Sequence, residues 1–422
     1  MTIELPDPFL SRRAEELLDR RLRAARAVVV NGPRQSGKTS LLARLAARRL
    51  GTYLSLDDAS TLRLARTDPA GFVTGFEEPL LIDEVQRGGD PLILAVKSQL
   101  DRSPRRGRFV LAGSTRFLSE PRLSESLAGR VRFVDLWPLS QGEIDSTPDR
   151  FVDLAFEQPE SILDAELEPL TRSEVFDRVV RGGLPEAVLA ASIEDRSDFL
   201  RDYARSLTAK DVRDLADLEH VDHLARVSRL LAARTATELN ITDLAAELGL
   251  PQTTFRRYLP LFETTYIHHT VPAWSGNVSS KVVKRPKLHL LDSGVASTLL
   301  GASSPALARP TSTVSGQLLE TFVAGELARQ LTWSQTEALL YHWRDRDGKE
   351  VDLLLEAADG RVVGVEVKAS VDVGAAAFAG LKHLQKRLGD RFVAGFVIHC
   401  GERVMPAGPD LWTVPVSALW QW

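Results

Sequence analysis

The sequence predicts an α/β protein: a parallel sheet built around a phosphate-binding loop, then a helical module, then a second α/β module. Three observations carry this. An apolar run, Val28-Val29-Val30, enters a glycine-framed loop that opens a leucine-striped helix. A second apolar run, Leu80-Leu81-Ile82, ends in the carboxylates Asp83 and Glu84. Far down the chain, Asp352 and the pair Glu366-x-Lys368 lie in segments with strand-like patterning.

The loop reads Gly32-Pro33-Arg34-Gln35-Ser36-Gly37-Lys38-Thr39-Ser40. Gly32 and Gly37 let the backbone curl and approach an anion without a Cβ, and its N–H groups surround a β-phosphate. Lys38 points its ammonium at the β/γ oxygens, and the Thr39 hydroxyl is left to ligate Mg²⁺. The helix that follows, with Leu41, Leu42 and Leu45 on one stripe, turns its positive end toward the same anion. ATP and Mg²⁺ are the ligands this spacing predicts.

At 422 residues the chain exceeds the usual size of one domain. Weakening periodicity and a proline-broken, acidic stretch after Trp137-Pro138 place a first boundary near 145, giving units 1–145, 146–305 and 306–422. A net charge of −4 argues against a uniformly basic DNA-coating protein and leaves room for a local basic groove. The single cysteine, Cys400, excludes a disulfide framework or a cysteine zinc site within one chain. No signal-like start and no apolar run of membrane length are present, so a cytoplasmic protein without a membrane partner is expected.

In order, the leucine spacing predicts a surface helix over 11–26, whose arginine-rich face reads as solvated. Residues 52–58 read as a strand and 59–66 as a helix. Leu80 to Asp83 is a buried strand that delivers its acids to the carboxyl edge of the sheet, where ligands of parallel sheets bind. Asp83 is expected to hold Mg²⁺ and Glu84 to polarise the attacking water; capping of the next helix by the pair is the alternative. Residues 108–115 form the next strand, ending where Ser114 or Thr115 would sense the γ-phosphate. Arg130, after Gly129 on a helix-to-strand turn, is the arginine-finger candidate, against the alternative of a surface ion pair.

Together the loop with its internal Pro-Arg-Gln, the run Leu81-Ile82-Asp83-Glu84-Val85-Gln86, the run Leu111-Ala112-Gly113-Ser114 and Ser126-Leu127-Ala128-Gly129-Arg130 carry a resemblance. They resemble a prokaryotic family of AAA-type ATPases that continues into a C-terminal domain of unknown function, distantly similar to the PD-(D/E)xK nucleases. The similarity spans about 8–420 and implies an AAA-like sheet and ATPase chemistry.

Residues 198–218 read as one long charged helix carrying Arg201, Arg205, Lys210, Asp211 and Arg213. Residues 241–250 and 253–262 have a helix, glycine turn, helix layout, with Phe255, Leu259 and Phe262 inward and Arg256 and Arg257 outward. With a strand over 266–271 as a wing, a winged helix is expected, serving either as a DNA reader or as a rigid connector. The run Leu288-His289-Leu290-Leu291-Asp292-Ser293-Gly294 is a strand and turn that the resemblance marks as typical of the family.

The last third reads helix 317–331 with Glu320, strands 338–343, 350–355 and 362–368, helix 378–388 and strand 392–399. Period two puts Glu366 and Lys368 on one face. Asp352, Glu366 and Glu320 can share one Mg²⁺, and Lys368 can orient or activate a water at a phosphodiester. The order α-β-β-β-α-β with Glu, Asp and Glu-x-Lys resembles the PD-(D/E)xK nuclease core. The alternative for Glu366-x-Lys368 is an exposed strand pair.

The expectation is an ATP-hydrolysing protein acting on DNA or another nucleic acid, with a nuclease-like terminal module, and the reading admits a homo-oligomer. The rival is a nucleotide-dependent regulatory or scaffold protein whose terminal module only binds a partner.

Overall fold

Five runs rich in valine and leucine in the first third of the chain become five parallel strands. They are β1 (Ala27–Asn31), β2 (Thr52–Ser55), β3 (Leu80–Asp83), β4 (Phe109–Gly113) and β5 (Val131–Asp135), in the order β2-β3-β4-β1-β5. The structure is a computed structural model that describes residues 8–114, 127, 129–207, 221–276 and 284–422. The chain divides into two compact units, Met1–Leu139 with Thr264–Tyr266, and Ser140–Glu263 with Ile267–Trp422.

In the first unit alternate residues of each strand face opposite layers. Val29, Ile82 and Leu111 pack with Leu92, Ile93 and Val96 of the helix Gly89–Arg102. Val28, Val30, Leu81 and Val110 pack with Leu17, Leu18 and Leu22 of the helix Ala14–Ala24 and with Leu41, Leu42 and Leu45 of the helix Lys38–Arg49. Burial on both faces explains strands that read as continuous apolar runs. β4 lies between β1 and β3, so the phosphate-loop strand and the acidic strand are not neighbours. The first helix is shorter than predicted, and its acids are not simply solvated. Glu15 pairs with Arg44 and Arg48 at 3.1 and 3.0 Å, and Asp19 pairs with Arg48 and Arg49 at 2.8 and 2.7 Å.

In the second unit the expected connector and terminal modules share one core. It includes Phe151, Phe176, Leu200, Phe255, Leu290, Phe322, Phe396 and Trp420. The helices Ile241–Leu248 and Gln252–Thr264 are joined through Gly249, whose φ of 67° suits the left-handed turn that closes the first of them. Phe255 and Phe262 are fully buried and Arg256 and Arg257 exposed, as the spacing predicts. A small antiparallel sheet, β6 (Thr237–Glu238), β7 (His268–Val271) and β8 (Lys287–Leu290), runs in the order β6-β8-β7. The helix predicted over 198–218 is seen as Ile193–Ser206; Lys210, Asp211 and Arg213 lie outside the described residues.

The terminal elements follow the predicted order: helix Ser315–Trp333, β9 (Ala338–Arg344), β10 (Glu350–Ala357), β11 (Val362–Lys368), helix Ala379–Leu388 and β12 (Phe392–His399). β13 (Met405–Gly408) and β14 (Leu411–Pro415) extend the sheet to β13-β14-β12-β11-β10-β9 and were not predicted. The helix Ser315–Trp333 is buried nearly all round, through Leu318, Leu319, Thr321, Phe322, Val323 and Ala324, rather than along one stripe.

Candidate nucleotide site and carboxylate cluster

β1 ends at Asn31, so the chain leaves at the carboxyl edge of the sheet and turns at once into the loop. Gly32 has no alternative, because a Cβ there would lie 2.3 Å from the carbonyl oxygen of Leu136. Gln35 and Gly37 take left-handed backbone, φ 58° and 93°, and the helix starts at Lys38. Pro33, Arg34, Ser36 and Ser40 complete the predicted loop and first turn. The Lys38 ammonium donates to the carbonyls of Gly32 and Pro33 at 2.9 and 2.6 Å. Asn31 Oδ1 and Ser36 Oγ are buried without a hydrogen-bond partner, a polar lining suited to a polar ligand.

Two side chains tie this loop to its surroundings. Thr39 Oγ1 donates to Asp83 Oδ2 at 2.6 Å, and Asp83 also accepts from the Tyr53 hydroxyl at 3.0 Å and from the Glu84 N–H at 3.0 Å. Burial, then the Asp83 charge, pushes the Tyr53 phenol upward, so it stays a donor. Thr39 and Asp83 therefore converge as a Mg²⁺-nucleotide complex requires. Arg12 is the second tie: Nη1 donates to Ser36 O at 2.7 Å and Nη2 to Trp137 O at 2.6 Å. Sequence reasoning placed Arg12 on a solvated face and missed it.

Glu84 follows β3 with φ 51°, which turns its side chain toward the end of β4. Glu84 Oε2 accepts from Ser114 Oγ at 3.1 Å and from Gln86 Nε2, which also donates to Ser114 at 3.2 Å. The predicted base and the predicted sensor thus touch, bridged by a glutamine to which the sequence assigned no role. Thr115 lies outside the described residues. Arg130 is elsewhere. It precedes β5, whose first residue Val131 is in register with Ala27, at the amino edge of the sheet. A five-residue strand separates that edge from the loop by about 16 Å. Arg130 pairs there with Asp101 through Nε at 2.5 Å and Nη2 at 3.3 Å, and this bond holds the Asp101 carboxyl below its ordinary range. It does not reach the nucleotide site of its own unit.

In the second unit the helix Ser315–Trp333 brings Glu320, β10 brings Asp352, and β11 brings Glu366 and Lys368 to one neighbourhood. The three carboxylates do not form the predicted shared metal cage. Among the described residues no three of His, Cys, Asp and Glu are set to hold a metal. Instead Lys287, from β8, donates to Glu320 Oε1 at 2.8 Å and to Asp352 Oδ1 at 3.3 Å. Asp352 Oδ2 accepts the Val367 N–H at 3.0 Å, and Lys368 donates to Glu366 Oε1 at 2.6 Å. The reason is electrostatic: buried carboxylates need a nearby cation, and the chain supplies one. Burial, then Asp352, pushes Glu320 up to about 8 against the pull of Lys287. Burial and Asp352 likewise raise Glu366 to about 7, against Lys368. Burial pulls the Lys287 ammonium down, but Glu320 and Asp352 outweigh it and hold it above its ordinary range.

Beside this cluster lies a cleft of about 740 Å³ lined by Lys284, Arg285, Arg344, Arg346 and Arg387, with Trp343 stacked on His383 at 5.6 Å. Asp347 lines both this cleft and an adjoining one of about 470 Å³ that holds Glu366 and Lys368. The sequence offered these basic residues no role, since they come from separate segments.

Residues 24–145 match an AAA domain. The AAA domain is thus the parallel-sheet unit that carries the loop, and ATP binding and hydrolysis are the chemistry this supports. Two further stretches match domains of unknown function, 172–306 (DUF8612) and 315–419 (DUF4143). An uncharacterised protein of Mycobacterium tuberculosis is 28% identical over 412 residues, 97% of this chain and 84% of its own, and one of Mycobacterium bovis is equally similar. Among solved structures, a Walker-type ATPase of Pyrococcus abyssi is similar at TM-score 0.43 and 15% identity, over 70% of this chain and 97% of its own. The RuvB Holliday junction branch migration motor of Thermotoga maritima is similar at TM-score 0.31 and 20% identity, over 64% and 93%. Among the described residues no helix is long and apolar enough to cross a membrane.

Proposed function

We propose that the AAA domain hydrolyses ATP with Mg²⁺ through Lys38, Thr39, Asp83 and Glu84, and that the second unit binds nucleic acid. Lys38 would exchange its carbonyl partners for β/γ-phosphate oxygens. Thr39 and Asp83 would hold Mg²⁺, which neutralises phosphate charge when bound. Glu84 would orient the attacking water, with Ser114 and Gln86 fixing its carboxylate.

The observation that carries the nucleic-acid reading is the cleft lined by Lys284, Arg285, Arg344, Arg346 and Arg387 that adjoins Glu366 and Lys368. Arginine and lysine neutralise backbone phosphates. The helix pair and small sheet are consistent with a winged helix, whose exposed Arg256 and Arg257 would add backbone contacts. The terminal elements keep the order of a PD-(D/E)xK nuclease core. With Lys287 seated between Glu320 and Asp352, the side chains favour binding without cleavage in this state.

The test is a salt titration of labelled single-stranded DNA, duplex DNA and RNA. Replacing Arg344 and Arg346 by alanine should weaken binding and lower the log-log salt slope by about one for each backbone phosphate no longer neutralised. No measurable binding to any of the three at low salt would refute the reading.

A further inference from the structure

We propose that Lys287 is a tethered occupant of the carboxylate site, and that a divalent cation enters there only by displacing it. The inference rests on the sequence expectation that Glu320, Asp352 and Glu366 share one cation, an arrangement they do not take with Lys287 in place, and it makes that expectation conditional.

The geometry has three parts. First, one ammonium takes an oxygen from each of two carboxylates on different elements, at 2.8 Å from Glu320 and 3.3 Å from Asp352. A divalent ion needs those same oxygens, and at such separations two cations in a poorly solvated site repel strongly. Second, the site holds acceptor capacity that Lys287 does not use. Glu366 is only 7% exposed, and its Oε2 has no hydrogen-bond partner.

Third, the occupant comes from outside the terminal sheet. Lys287 is the first residue of β8, registered with Glu238 of β6 and Val271 of β7, whereas the acids belong to the helix Ser315–Trp333, β10 and β11. Only the Lys287 side chain has to leave to free the acids, because none of their own elements carries it. Departure of the Lys287 side chain and the filling of the carboxylate site become one event, linked by mutual exclusion.

The experiment measures Mn²⁺ binding to the full chain without nucleotide, by calorimetry and by the loss of the free-ion electron paramagnetic resonance signal. Lys287→Met keeps an unbranched side chain and removes the charge. It should bind Mn²⁺ at least about tenfold more tightly than the wild type and regain thermal stability on Mn²⁺ addition. Adding Asp352→Asn to Lys287→Met should abolish the gain and locate it. Equal Mn²⁺ affinity with and without Lys287, weakened by Asp352→Asn in both, would overturn the inference and leave the cation site standing. Absence of an Asp352-dependent Mn²⁺ site in either form would overturn both. If Lys287→Met does not fold, the wild type decides: acetic anhydride should label Lys287 only when Mn²⁺ is saturating, and labelling unchanged by Mn²⁺ would refute displacement.

Discussion

Thr39 Oγ1 donates to Asp83 Oδ2 across 2.6 Å, so the first turn after the phosphate loop and the end of the acidic strand are joined although β4 separates their strands. This bond presents both oxygens to one point at the carboxyl edge of the sheet. Lys38→Ala should abolish ATP binding, because it removes the cation that meets the β/γ oxygens. Glu84→Gln should retain binding while turnover falls by about 10²- to 10⁴-fold. Nucleotide-binding fluorescence and phosphate release separate the two effects, and near-wild-type turnover in both variants would sink the assignment.

Arg12 positions the loop through Ser36 O and Trp137 O. Hydrogen bonds from a charged donor contribute about 1.5–3 kcal/mol. Arg12→Met should destabilise the AAA domain by about that much and raise KM for ATP while kcat changes less. Unchanged denaturation midpoint and KM would show that the loop holds its shape unaided.

Arg130 cannot serve its own site, so any role as a finger must be played on a neighbouring copy. Mixing Arg130→Ala with Lys38→Ala chains should then restore part of the activity, each supplying what the other lacks. No recovery from mixtures shown to form oligomers would count against a finger in trans and leave Arg130 in a structural role beside Asp101.

His342 is pushed down to about 4 by burial, with Lys287, Lys284 and Arg344 adding to the shift and the carbonyl of Arg285, 3.0 Å from Nε2, opposing it. Its folded value lies below its unfolded one, so the stability it contributes is present above about pH 6.5 and is lost as pH falls through about 4. The ceiling is about 3 kcal/mol. His342→Gln should flatten the acid limb of the second unit's stability between those values. Glu320 and Glu366, whose raised values act with the opposite sign over an overlapping range, are present in both forms, so the difference between variant and wild type isolates His342. Identical acid limbs would show that His342 is not a source of acid sensitivity.

What was legible in the sequence was what short-range pattern encodes. Gly32, Gly37, Lys38 and Thr39 announce the loop because its backbone tolerates few other residues, and Leu80 to Asp83 announces a strand buried on both faces. β14 escaped because Leu411-Trp412-Thr413-Val414-Pro415 is short and ends in proline, which reads against an interior strand. Lys287 escaped for a different reason: beside Lys284 and Arg285 it looks like surface charge, and only long-range packing brings it to Glu320. Arg12 hid among neighbouring arginines in the same way. The division into connector and terminal module followed the motifs, whereas the core runs through both.

The Lys38 ammonium is bonded to Gly32 O and Pro33 O, two carbonyls of its own loop. Such a latch must be undone before phosphate is gripped, and undoing it is a unimolecular act. Rapid mixing should therefore show an ATP association rate that climbs with nucleotide at first and then levels off, the plateau timing the latch rather than the encounter.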